Sequence, residues 1–170
     1  MRLTRAAGLA LGYLAGRLID QPIRSQPAAA FRQAASAVEE RSYVDDANWG
    51  TVHAGALVGG AAAIGLVLER LTRKRPVLHI LATALATAIV LEDPETEPGS
   101  LSTQGLIGPL FYGTAFGIPG LLGYRAVHSV ADQLDPDEEK YANFGRSAAQ
   151  LRDVADYLPD QLTEKLNALK

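Results

Sequence analysis

Residues 105–127 read GLIGPLFYGTAFGIPGLLGYRAV, and no charge interrupts them before Arg125. A run of about twenty mostly apolar residues is the length a helix needs to cross the hydrocarbon core of a bilayer. Pro109 and Pro119 each lack a backbone donor, which predicts a bent or broken helix. Gly113 and Gly117 stand four apart, the spacing that lets two helix backbones approach closely in lipid. The stretch reads as a membrane helix, kinked either where it lines a site or where it merely packs in lipid.

Upstream, three more apolar segments follow the same logic. Residues 6–19 carry Gly8, Gly12 and Gly16 in an unbroken four-residue repeat, so one face is bare backbone. This segment is short, and it fits a full span or a half-inserted helix. It follows Arg2 and Arg5, and Arg17 and Asp20 stand where a signal peptide would have small residues, which predicts a retained anchor. Residues 51–68 (TVHAGALVGGAAAIGLVL, with Gly55 and Gly59) and 76–91 (PVLHILATALATAIVL) have no formal charge outside their histidines. They flank the polar loop ERLTRKR, the pattern of a helical hairpin. Between the first two segments, Pro22 and Pro27 predict an extended start, and residues 28–44 predict an amphipathic helix lying along the membrane. Trp49 and Tyr43 suit the headgroup level.

Arg70, Arg73, Lys74 and Arg75 orient the protein, because short loops rich in Lys and Arg stay cytoplasmic. Counting outward from that loop gives about four spans, near 6–19, 51–68, 76–91 and 105–127. Both termini are then cytoplasmic, and the setting is the cell's inner or plasma membrane. The tail, 128–170, reads as soluble, with one amphipathic helix over 145–158, a stop at Pro159 and a second helix over 161–169. It is expected to dock on the cytoplasmic ends of the spans. Strand signals are weak, so the fold class is all-α.

Composition removes several functions. The 170 residues contain no cysteine, so disulfides, thiolate zinc sites and cysteine nucleophiles are excluded. The net charge of −3 and the absence of a basic face argue against nucleic acid as a partner. His53 and His79 fall at different depths of neighbouring spans, which argues against a shared metal site and leaves no metal ligands to name. Asp45, Asp46, Glu92, Asp93, Glu95 and Glu97 read as a solvated acidic face, and 135–139 as a helix-start cluster beside Pro136.

The phrases PLFYGTAFGIPGLLGYRAV, KYANFG, AAQLRDVADYLP and QLT resemble the C-terminal part of the CobD/CbiB family. GYLAGRLIDQP, QPAAAFRQAA, VEERSYVDDANWG and ERLTRKRPVLHILATALAT resemble its N-terminal half in the same order. The family comprises membrane adenosylcobinamide-phosphate synthases of cobalamin biosynthesis. The resemblance implies joining an aminopropanol-derived amine to a corrin propionate, with nucleotide and metal. It also implies a long central segment, in place of which this chain has LEDPETEPGSLSTQG.

Scaffold positions match the family: Pro109, Gly120, Tyr124, Arg125, Tyr141, Phe144, Gly145, Asp153 and Pro159. The polar positions depart from it. Gln21 and Gln26 stand where the resemblance implies Asp and His, and 100–105 stand for Glu-Asn-Thr-Ser-Asp-Gly. His128-Ser129-Val130-Ala131 stand for Asn-Thr-x-Asp, Arg152 for an acid and Asp156 for an Asn. The expectation is a scaffold without its catalytic centre or cofactors, which acts as an interaction subunit. Its partners would be membrane lipid and other integral membrane subunits, packed on Gly8, Gly12, Gly16, Gly55, Gly59, Gly113 and Gly117. The alternative is a reduced but active synthase.

Overall fold

A computed structural model describes residues 2–16, 21–44, 46–91 and 103–168. Among them every regular element is helical. The helices are α1 (Arg2–Gly16), α2 (Gln21–Ser42), α3 (Ala47–Thr72), α4 (Pro76–Val90), α5 (Gly108–Phe116), α6 (Ile118–Gln133) and α7 (Arg146–Ala168). One π-turn, Thr103–Ile107, precedes α5, and a 3-10 turn, Glu139–Tyr141, precedes α7. Arg17, Asp45 and the loop acids Glu92, Asp93, Glu95 and Glu97 lie outside the described residues.

The axis of the molecule is the antiparallel pair α3 and α6. Gly65 near the end of α3 meets Ile118 and Pro119 at the start of α6. At the other end, Ala54 joins Val130, Ala131, Leu134 and Phe144 in one buried cluster. Phe144 is wholly buried, worth about 1.5–3 kcal/mol for such a side chain. α3 is opened by Asp46, whose carboxylate accepts from the amides of Asn48 and Trp49 at 2.8 and 3.1 Å. Asp46 is therefore a helix cap. α1 lies parallel to α4, with Gly8 over Thr83 and Gly12 over Thr87. A Cβ at Gly8 would stand 2.6 Å from the Thr83 Cβ, so glycine sets this close approach.

The stretch 105–127 is not one kinked span. Gly117 adopts φ 76°, ψ −145°, a conformation open to glycine, and the chain reverses there. Gly113 of α5 then faces Leu121 of α6, and Gly108 faces Tyr124. Pro119 falls in the first turn of α6, where no donor is missed. Pro109 falls where the π-turn passes directly into α5. α6 also runs past the boundary expected at 127 to Gln133, and its residues 126–131 are all buried.

Two further expectations change. α2 begins at Gln21 and is helical through Pro22 and Pro27, where an extended segment was predicted. α7 continues through Pro159 to Ala168, and it lies along α6 instead of capping the ends of spans. Pro159 cannot donate to the carbonyl of Ala155, one turn back. Tyr112 Oη of α5 donates to that carbonyl at 3.0 Å, so the orphaned acceptor is satisfied from a neighbouring helix.

One helix among the described residues, α3, is long and apolar enough to cross a membrane, and α4 is apolar but has 15 residues. The four-span arrangement reduces to that coarser statement. The start of α1 meets the end of α3 through Arg5 and Glu69, whereas α6 ends beside Ala54. The start of α1 and the end of α6 thus lie at opposite ends of the bundle, not on one side as four consecutive spans would place them.

Candidate functional site

A buried polar set sits where α5, α6 and α7 meet. Tyr124 and His128 are one turn apart on α6, so both project toward α7. Tyr124 Oη donates to Asp156 Oδ1 at 2.6 Å, and His128 Nε2 lies 3.0 Å from the same oxygen. Both residues and Asp156 are buried. His128 Nδ1 is buried without a partner, which assigns the remaining ring proton to Nε2. Burial raises the Asp156 carboxyl, but the bonds from His128 and Tyr124 outweigh it and hold the group below its ordinary value. The ring of Tyr112 stacks on Tyr124 at 5.1 Å.

Outside this set lies an open cleft of about 580 Å³, lined on α7 by Asp153, Asp156, Tyr157 and Asp160, with Gln104 opposite. Arg152 also lines it and pairs with Asp132 of α6 at 3.5 Å. A second buried acid, Glu39 of α2, accepts from Lys140 Nζ and Tyr141 Oη at 2.7 Å each and from Gln133 Nε2 at 3.2 Å. Burial raises its carboxyl, and those three donors together bring it below the usual range. Tyr43 Oη donates to the Lys140 carbonyl and its ring packs on Tyr141 and Phe144, so it belongs to this cluster.

The third buried acid, Glu69, serves the reversal at Gly117. Its Oε1 pairs with Arg5 at 2.7 Å and its Oε2 accepts the Ile118 amide at 3.1 Å. Arg5 Nη1 reaches the carbonyls of Thr114 and Ala115 at 3.3 and 3.4 Å. A carboxylate thus meets the positive start of α6, and a guanidinium meets the negative end of α5.

The glycines expected at partner faces divide. Gly8, Gly12 and Gly16 face α4, Gly113 faces Leu121 and Leu9, and Gly117 faces Glu69 and Arg5. A Cβ at Gly55 or Gly59 would meet nothing within 4 Å. Of the scaffold positions, Pro109 is buried at the start of α5, Tyr124 binds Asp156, and Arg125 is half-buried on α6. Tyr141 binds Glu39, Gly145 backs onto the Leu134 carbonyl, and Asp153 lines the cleft. His53 packs on Phe144 near the start of α3, and His79 of α4 lies 3.1 Å from Thr72 Oγ1 at the end of α3, so the two are far apart. Sequence reading missed all three buried acids as structural centres. The i, i+4 spacing of Tyr124 and His128 was the one signal for the first.

A family profile described as CobD/Cbib protein matches residues 102–170. The chain is 28% identical to the cobalamin biosynthesis protein CobD of Mycobacterium tuberculosis, over 96% of this chain and 66% of that one. The chain is similar to the CobD/CbiB family along most of its length. Probable CobD of Methanocaldococcus jannaschii is 32% identical over 64% of this chain and 32% of its own length. CobD of Brucella anthropi is 30% identical over 65% and 42%. No solved structure matches. The chain is a shortened form. It spans less than two thirds of these relatives, and the alignment with the M. tuberculosis protein is 206 residues long against a chain of 170. That relative therefore carries residues inside the matched region that this chain lacks. The family consists of membrane proteins, and α3 provides a helix suited to that setting.

The family's chemistry implies a nucleotide and a divalent cation, and the residues of the described cleft do not fit the cation. A hard cation needs several converging oxygens with free charge. Asp156 Oδ1 is taken by Tyr124 and His128, and Arg152 places a cation among the cleft acids Asp153, Asp160 and Glu164. Among the described residues no three His, Asp or Glu side chains converge on one point.

Proposed function

We propose that this CobD/CbiB-like protein is a catalytically degenerate membrane subunit that supports another integral membrane protein. The observation that carries the reading is that two departures from the family, His128 and Asp156, pair with each other. Both are read as replacing Asn. Arg152, read as replacing an acid, pairs with Asp132. Positions read as polar site residues thus tie α6 to α7, through a buried pair at His128 and Asp156 and a surface pair at Arg152 and Asp132.

The partner face is on α3. Val52, Ala56, Gly59, Gly60, Ala63 and Val67 follow one stripe, all exposed. In the plasma membrane the loop 69–75 and the start of α1 face the cytoplasm, and the end of α6 faces the other side.

Purified protein supplied with corrinoid acid, amine, ATP and magnesium is expected to form no amide product. Turnover at a measurable rate would support the reduced synthase instead. Gly55→Leu/Gly59→Leu should lower recovery of a stoichiometric membrane partner at least tenfold. Unchanged recovery would count against the α3 face.

A further inference from the structure

We infer that the tip of the α3–α4 hairpin is a binding site for the headgroups of anionic phospholipids. The inference stands apart from the proposed accessory role. Arg70, Arg73, Lys74 and Arg75 are all exposed, and among the described residues none of them has an ion pair. No acid follows Glu69 before Glu92, and Glu69 is buried against Arg5. The four cations are therefore not neutralised by any of the described residues.

Apolar side chains frame them at the same end of the molecule. Leu71 and Val77 are 71% and 69% exposed beside the cations. Leu3 and Phe116 are exposed at the same end, near Arg5 and Gly117. A free phosphate has no use for that apolar frame. A phospholipid places its phosphate at the level of the cations and its acyl chains against the apolar residues above them. The structure holds the four cations in place at low cost. Thr72 Oγ1 bonds to the Leu68 carbonyl and to His79, which ties the end of α3 to the start of α4. Pro76 then opens α4 without a missing donor.

The test uses the full chain. It is reconstituted in nanodiscs holding phosphatidylcholine and phosphatidylglycerol, returned to mild detergent, and weighed by native mass spectrometry. Phosphatidylglycerol should be retained in preference to phosphatidylcholine, and the preference should fall with added salt. Arg73→Gln/Lys74→Gln should reduce it about fivefold per cation removed, and Arg70→Gln/Arg75→Gln likewise. Using the two pairs separately keeps the test decisive if the fourfold variant does not fold. Arg32→Gln/Arg41→Gln, on the exposed face of α2, should leave the preference unchanged. Equal retention of the two lipids by the unmodified protein overturns the inference. So does an undiminished preference in both tip pairs, or an equal loss in the α2 control. Displacement of the lipid by millimolar inorganic phosphate would also overturn it, since the tip would then be a free-phosphate site.

Discussion

Asp156 Oδ1 takes hydrogen bonds from both Tyr124 and His128, so one atom satisfies two buried donors on the neighbouring helix. Asp156→Ala would leave both donors unpaired away from water. The expected cost is about 3 kcal/mol, read as a lower unfolding temperature in mild detergent. His128→Asn/Asp156→Asn restores the two amides that the family resemblance implies. The pair of changes should cost at least about 1 kcal/mol less than the sum of its single changes, because the residues share one contact. Simple additivity would show that the two substitutions are unrelated.

At the scale of elements, α7 stays helical across Pro159 because α5 supplies the missing donor. Tyr112→Phe removes it and leaves the Ala155 carbonyl without its Tyr partner, at an expected cost of about 1–2 kcal/mol. Pro159→Ala returns an amide to the same carbonyl. In that background the Tyr112→Phe cost should fall to near zero, and amide exchange in 156–163 should report the restored bond. An equal cost in both backgrounds would mean that Tyr112 acts through its ring packing on Tyr124 alone. The reversal at Gly117 follows the same principle, with Arg5 and Glu69 completing the two helix ends that a continuous helix would have completed for itself.

For the whole molecule, the buried acids set the response to pH. Glu39 and Asp156 both titrate below their ordinary values of 4.5 and 3.8. A carboxyl depressed on folding contributes its full stability above the unfolded value and loses it as pH falls through the folded one. Stability should thus be flat above about pH 5 and decline below about pH 4.5. Lys140, raised by its bonds to Glu39 and Tyr141, adds a contribution that persists through neutral pH and is lost only in strong alkali. Glu39→Gln should shrink the acid-side decline. An unfolding temperature that does not change between pH 6 and pH 3.5 would remove Glu39 and Asp156 from this role.

The sequence by itself determined the helical class, the apolar character of α3 and α4, the resemblance to the CobD/CbiB family and the short stretch that stands for that family's long central segment. Each of these is carried by local periodicity, by composition or by phrases of matching residues. Tertiary structure decided where the chain turns back and which polar groups meet. Gly117 could be read as a packing glycine or as a turn, and only the ends brought by Arg5 and Glu69, 112 and 48 residues upstream, make the turn. The glycine repeats specify a close approach but not its partner, so α4 took the face of Gly8 and Gly12 while Gly55 and Gly59 stayed open. Burial of an ion or hydrogen-bond pair depends on two distant segments at once, and that information is absent from either segment alone.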